Sequence, residues 1–326
     1  MDALDQLLRF EHRAMATTFE LMVFGEKPDV AESAAWYAFG LIDKLEMQLS
    51  RFVNVSEVAM IAQLKPGKVY RVNKETMDLI LIATKVCDAT NGAFDVTVGP
   101  MMDALAKVGN RWAALTKEER EDTLARCGMN RLVLDPDHYL VSVKADALGR
   151  DTPVELDFGA IGKGFALDLA AEMLETEWEM RNFLIHGGTS TILAKGEMGD
   201  GKPGWAVTVG GYWRERAGLD AVRLENGAIS GSGFEEQGQH VIDVRRGVAA
   251  ARHAGTWSYA PDGARADALS TAFLGMDWKE IVRVCEKDLP GCGALAVREQ
   301  PKYLDRLRKP ARVCGTFPTL GKEKKR

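Results

Sequence analysis

The chain has 326 residues, 46% hydrophobic and 27% charged, enough to bury a large core in one or two globular domains. Its net charge of −5 argues against a general nucleic-acid binder, whose footprint is basic. Five scattered cysteines (Cys87, Cys127, Cys285, Cys292 and Cys314) form no CxxC pair, which argues against a disulfide framework or a zinc site.

The opening MDALDQLLRFEHR has neither a basic stretch followed by an apolar one nor a lipobox-like cysteine. No apolar run approaches the roughly eighteen residues of a membrane span. The expectation is a cytoplasmic protein without a membrane span, although a periplasmic chain trimmed of its leader would read the same. Residues 15–24, MATTFELMVF, read as a strand. Residues 31–48 carry helical spacing through Trp36, Phe39, Leu41, Leu45 and Leu49 and run into LSRF at 49–52. Residues 73–90 form a strong helix with Leu79, Ile82, Ala83 and Val86 on its apolar stripe. Asn73 is placed to cap it, and Thr76 stands where a capping box would take Glu. GAFDVTVGP at 92–100 sets an aromatic and an acid between glycines; Phe94 could stack on a flat ring or pack in the core beside Val96 and Val98. The section 101–149 holds an amphipathic helix near 117–126, then the strand-like RLVLD and YLVSVKA, and no catalytic signature.

Residues 154–174, VELDFGAIGKGFALDLAAEML, organise the rest. Val154, Leu156 and Phe158 alternate with Glu155 and Asp157, glycines crowd in at 159, 162 and 164, and helical spacing follows through Phe165, Leu169 and Met173. Strand, glycine turn and helix in that order let backbone amides approach an anion at a helix N-terminus. Lys163 supplies a point charge for phosphate, while Asp157 and the turn carbonyls offer oxygen to a hard cation. The alternative is an ordinary glycine-rich connection with a solvated lysine. Neither GxxxxGK[ST] nor GxGxxG is present. Further on, NFLIHGGTSTILAKG reads as strand, turn and strand, EMGDGKPG at 197–204 as a loop, and WAVTVG as extended. AISGSGFEEQGQHVIDVRRG at 228–247 places small residues, then His240 and Asp243, on one extended run. A helix begins in ADALSTAFLGM at 266–276, and ALAVRE is a late strand.

Asp267 and Thr271, four apart on that helix, put a carboxylate and a hydroxyl on one face, a pair that suits Mg²⁺. Alternatively Asp267 caps the helix and Thr271 bonds back to a carbonyl. The histidine side chain as a type suits proton transfer near neutral pH, which makes His240 a candidate. A Ser-His-Asp hydrolase has little support, since no GxSxG elbow exists and Ser232, between Gly231 and Gly233, lacks the remaining pattern.

Seven islands in order, MATTF, LSRF, GAFDVTVGP, LDFGAIGKGFALD, HGGTSTILAKG, HVIDVRRG and ADALSTAFLGM, resemble the FAD:protein FMN transferase family, the ApbE-like flavin transferases, over residues 14–297. The resemblance implies an α+β fold of two closely joined lobes, with mainly antiparallel sheets flanked by helices. It divides the chain into an N-terminal extension (1–13), the transferase domain (14–315) and a disordered basic tail (316–326). It implies transfer of FMN from FAD to a Thr or Ser hydroxyl of an acceptor flavoprotein, with Mg²⁺ as cofactor and AMP released. An FAD pyrophosphatase, or a non-catalytic FAD-binding protein, is the alternative. Carried over by position, Met15, Phe52, Ala93, Phe94, Asp95, Asp157, Lys163 and Val241 would contact FAD. Ala160 (through its carbonyl), Asp267 and Thr271 would hold the metal, and His240 and Asp267 would be catalytic. Ala16 stands where the family has glycine.

Overall fold

The computed structural model describes residues 6–109, 111–209, 212–213, 216–217, 220–233, 242–243, 245, 248–249, 252–297 and 311–319. Its frame is an eight-stranded antiparallel sheet built from β1 (Leu7–Ala14), β2 (Thr17–Phe24), β6 (Phe183–Gly187), β7 (Thr191–Lys195), β12 (Gly227–Gly233), β15 (Gly255–Ala260), β16 (Gly293–Val297) and β17 (Ala311–Gly315), side by side in that order. A second sheet joins β3 (Val69–Arg71), β5 (Leu140–Val143) and β4 (Leu132–Asp135). Short antiparallel pairs complete the strands: β8 (Trp205–Val209) with β11 (Asp220–Leu224), β9 (Tyr212–Trp213) with β10 (Arg216–Ala217), and β13 (Ile242–Asp243) with β14 (Val248–Ala249). The helices are α1 (Pro28–Leu49), α2 (Glu57–Ala62), α3 (Lys74–Ala89), α4 (Gly99–Lys107), α5 (Lys117–Ala125), α6 (Gly162–Thr176), α7 (Gly263–Gly275) and α8 (Trp278–Arg283).

Strand alternation sorts the large sheet into two apolar faces. Phe19, Leu21, Val23, Phe183, Ile185 and Leu193 face α1, α3, α6 and α7 in the main core. Leu184, Ile229, Leu295 and Val297 face the other way and are covered by Trp205, Val207, Val222 and Leu224 of the β8–β11 pair. Each fully buried side chain of this size contributes about 1.5–3 kcal/mol. The main core continues through Val72, Leu132, Val141 and Val143 into the small sheet, so the two sheets share one interior. A smaller cluster, Met101, Leu105, Trp112 and Leu115, lies under α4 and α5.

The α+β class with mainly antiparallel sheets is the fold observed, and most expected elements are present. Four local differences have identifiable causes. First, Leu7–Ala14, which begins within residues 1–13 and ends at the first residue of the expected transferase domain, is an edge strand paired residue for residue with β2. Its exposed Arg9, Glu11 and Arg13 mask the apolar alternation. Second, residues 154–158 bury Val154, Leu156 and Phe158 as alternation demands, yet they join no sheet. Their partner is the 96–99 loop: the Asp157 amide donates to the Val96 carbonyl (2.7 Å) and the Gly99 amide to the Glu155 carbonyl (3.0 Å). Third, Asn73 precedes α3 but its side chain makes no capping bond, and its own amide donates to Glu57 (2.8 Å). Buried Thr76 accepts from Gln48 instead of completing a box. Fourth, Phe317, within the expected tail, is buried in the second apolar face.

Met15 and Ala16 form the two-residue loop of the β1–β2 hairpin, with φ of +47° and +57°. This is the left-handed geometry in which glycine is strain-free, and it explains why glycine suits position 16. A left-handed alanine costs about 1–2 kcal/mol, partly offset by the extra chain entropy that glycine loses on folding. Ala16→Gly should therefore raise stability by about 0.5–1 kcal/mol, read as a higher urea midpoint with an unchanged slope.

Candidate functional site at the α6–α7 junction

The glycine turn ends where α6 begins, and α7 begins beside it. A Cβ on Gly164 would lie 2.0 Å from the Gly263 carbonyl oxygen, and one on Gly263 would lie 2.5 Å from the Gly164 oxygen. Only two glycines allow the helices to start this close. Asp262 caps α7 by accepting from the Arg265 amide (2.9 Å), so Asp267, one turn in, is free for another task. Its Oδ2 accepts from the Gly164 amide of α6 at 3.1 Å, and its Oδ1 accepts from the hydroxyls of Thr191 (3.1 Å) and Ser230 (3.2 Å). Lys163 Nζ lies 3.8 Å from Asp267 Oδ2 and donates to the Gly159 carbonyl at 3.3 Å.

A hydroxyl network spreads from this carboxylate. Ser230 and Ser232, two apart on β12, point the same way. The Ser232 hydroxyl lies 2.8 Å from that of Ser270 and 3.2 Å from that of Thr271, and Ser270 donates to Ser230 at 3.3 Å. Thr271 thus joins Asp267 through serines from a neighbouring strand. A carboxylate has about four acceptor positions. Three donors occupy Asp267, which leaves one position on Oδ2, the oxygen beside Lys163.

On the other side of the turn, Asp157 Oδ1 accepts from the Gly159 amide (2.8 Å) and Oδ2 from the Arg51 guanidinium (3.0 Å). Arg51 also donates to Asp103 (2.6 Å) and lies 5.5 Å from the centre of the Phe52 ring. Phe52 is 85% exposed, an apolar ring held at the rim by a fixed cation. Asp157, Gly159, Lys163 and Asp267 are therefore one connected group with Ala160 between them, and Phe52 joins through Arg51.

The other expected site residues have surroundings of their own. Phe94 is buried in the main core, so its ring is unavailable for stacking. Ala93 is partly buried against the same core. The Asp95 carboxylate accepts from the Thr97 amide (2.7 Å), the Thr97 hydroxyl (2.6 Å) and the Met129 amide (3.2 Å). Burial raises its pKa against those hydrogen bonds. Asp95 therefore orders the loop whose Val96 carbonyl holds the Asp157 backbone. Met15 lies in the hairpin loop, its amide donating to Glu46 (2.8 Å). His240 and Val241 lie outside the described residues. Arg51, inside the quoted LSRF, and the hydroxyls of Thr191, Ser230 and Ser270 carry no sequence assignment, and Ser232, weighed only as a hydrolase nucleophile, stands in this network instead. The two-residue spacing of Ser230 and Ser232 was the available signal.

The family model described as the ApbE family matches residues 15–296. The FAD:protein FMN transferase of Haemophilus influenzae is 25% identical over 307 residues, covering 87% of this chain and 84% of that protein. The crystal structure of the ApbE protein from Thermotoga maritima superimposes with a TM-score of 0.75 at 26% identity, covering 91% of this chain and 97% of that one. The flavin transferase ApbE from Vibrio cholerae has the same fold, with a TM-score of 0.77 at 19% identity over 96% and 97% of the two chains.

The internal bonding of Asp95 generates a test. Asp95→Ala should cost about 2 kcal/mol of stability, because it strands two amides and a hydroxyl, while FAD affinity at a permissive temperature stays near wild type. Lost FAD affinity at an unchanged unfolding midpoint would instead mark a direct ligand contact.

Proposed function

The chain belongs to the ApbE family, and from that membership and the α6–α7 junction we propose that it transfers FMN from FAD to a Ser or Thr hydroxyl of an acceptor protein, releasing AMP. The observation that carries the proposal is the Asp267 carboxylate, held by three donors with one acceptor position left beside Lys163.

The donor set fits Mg²⁺. The Asp267 carboxylate, the Thr271 hydroxyl and the Ala160 carbonyl are all hard oxygen ligands, and Mg²⁺ takes few protein ligands when substrate phosphates supply the rest. Charge supports the same reading. Asp103, Asp157 and Asp267 outnumber Arg51 and Lys163 in the connected group, so an anionic pyrophosphate needs an added cation to settle there. When bound, Mg²⁺ withdraws charge from the pyrophosphate and from the departing AMP phosphate.

The chain's own residues supply the remaining parts. The Lys163 ammonium and the α6 N-terminus attract the phosphates. Phe52 offers an exposed face to a ring of the dinucleotide. The acceptor hydroxyl oxygen forms a bond to the FMN-side phosphorus while the pyrophosphate P–O bond breaks and AMP leaves. His240, on the sequence resemblance, takes the hydroxyl proton. No helix among the described residues is long and apolar enough to cross a membrane.

Incubation with FAD, Mg²⁺ and an acceptor bearing an Asp-rich Ser/Thr segment, followed by mass spectrometry, decides the chemistry. Covalent FMN on the acceptor with stoichiometric AMP is the expected outcome. Free FMN would mean a pyrophosphatase, and unchanged FAD a binding protein. Asp267→Asn preserves size and removes charge, so transfer should slow by about 10²–10³-fold with the fold retained. Wild-type transfer by this variant at limiting Mg²⁺ would remove the metal assignment. Lys163→Met should weaken FAD binding about tenfold or more by calorimetry and leave riboflavin binding unchanged. Equal losses for both ligands would make Lys163 a structural residue.

A further inference from the structure

The contact between α6 and α7 is reciprocal. Asp267 of α7 accepts from the Gly164 amide of α6, and Asp168 of α6 accepts from the first two amides of α7, Gly263 (2.5 Å) and Ala264 (2.8 Å). We propose that Asp168 is the positioning residue for Asp267: by gripping the Gly263 and Ala264 amides it seats α7 against α6, and so fixes where the Asp267 carboxylate and the Thr271 hydroxyl stand. Its bearing on catalysis rests on the function proposed above.

Asp168 is not needed to start the helix, because Asp262 already caps α7 through the Arg265 amide. What Asp168 adds is a two-pronged, charge-assisted grip across the interface, where Gly164 and Gly263 leave no slack for a shift in depth. Asp267 lies one helical turn beyond the grip and Thr271 two turns beyond. A shift at the first turn is therefore carried along a rigid helix to both oxygens.

Asp168 also lines a groove of about 520 Å³ on the flank of α6, through which solvent protons reach it. Burial first, and the Asp262 carboxylate second, push its carboxyl up to about 7, against the Gly263 and Ala264 amides and Arg265. The charged groups facing the groove are Asp78 and Lys85 from α3, Glu172 and Glu175 from α6, Lys195 from β7, and Asp262. Lys195 is paired with Glu175 at 2.8 Å and Asp262 with Arg265 at 2.8 Å. The seated, buried carboxyl takes up its proton more readily than a hydrated one, so its contribution to stability falls as pH rises from about 4 to about 7. The grip on the Gly263 and Ala264 amides is what sets the seat.

The test is hydrogen exchange at the Gly164 amide, the group bonded to Asp267, at about pH 8. In Asp168→Asn, which grips with one oxygen in place of two, protection should fall roughly tenfold, and Mn²⁺ affinity measured by spin resonance should drop about tenfold. Asp168→Glu keeps the charge and displaces it by one methylene, so it should fold and still lower Mn²⁺ affinity severalfold. Wild-type Gly164 protection in Asp168→Asn, or wild-type Mn²⁺ affinity in Asp168→Glu, would overturn the proposal. Asp267→Asn separates the two readings: Mn²⁺ binding unchanged in that variant would remove the metal site, while lost Gly164 protection in Asp168→Asn would keep the seating role.

Discussion

The absence of two side chains governs this molecule. Gly164 and Gly263 let the first turns of α6 and α7 touch through backbone, and everything at the site depends on that closeness. Helix starts expose unsatisfied amides that must find acceptors. Here each helix supplies a carboxylate to the other's first turn, which satisfies the amides of Gly164, Gly263 and Ala264. Asp267 is thereby buried without being stranded, at 4% exposure and with hydroxyls on its far oxygen. A buried carboxylate with such company is costly to desolvate but cheap to keep in place, which suits a group that must hold one position.

The large sheet performs a second service. β7 and β12 are neighbours in an antiparallel register that sets Thr191 opposite Ser230, and both hydroxyls reach the same oxygen of Asp267. The sheet fixes the hydroxyls and the helix pair fixes the carboxylate, so the site lies where two rigid elements meet. The 94–99 loop, by contrast, supports from outside, with the Asp95 bonds holding the strip against which residues 155–157 lie.

What the sequence revealed was whatever has a local period. The α3 and α5 helices, the β6–β7 hairpin and the strand-like pair 132–143 follow from spacing alone. The Asp267–Thr271 pair follows from four-residue helical geometry. The hydroxyls of Thr191 and Ser230 were hidden because register between strands distant in sequence sets their meeting. Asp168 was hidden because its partners lie about a hundred residues away, across a helix contact that no local pattern announces. Residues 154–158 show the limit of alternation: it identifies the buried face correctly and does not say whether the neighbour is a strand or a loop. The ring of Phe94, buried in the core, and the carboxylate of Asp95, bonded within its own loop, have surroundings that a resemblance does not announce.

The alternating Arg9, Glu11 and Arg13 along β1 bear on how the protein behaves when crowded. An edge strand presents unpaired backbone groups to any passing chain, and two molecules that added strand to strand would lengthen the sheet into an aggregate. In the register that centres on Glu11, antiparallel self-pairing along β1 sets Arg9 of each copy against Arg13 of the other and the two glutamates against each other. The charges that conceal the apolar pattern of the edge strand thus also work against that centred pairing, as charged residues on natural edge strands do.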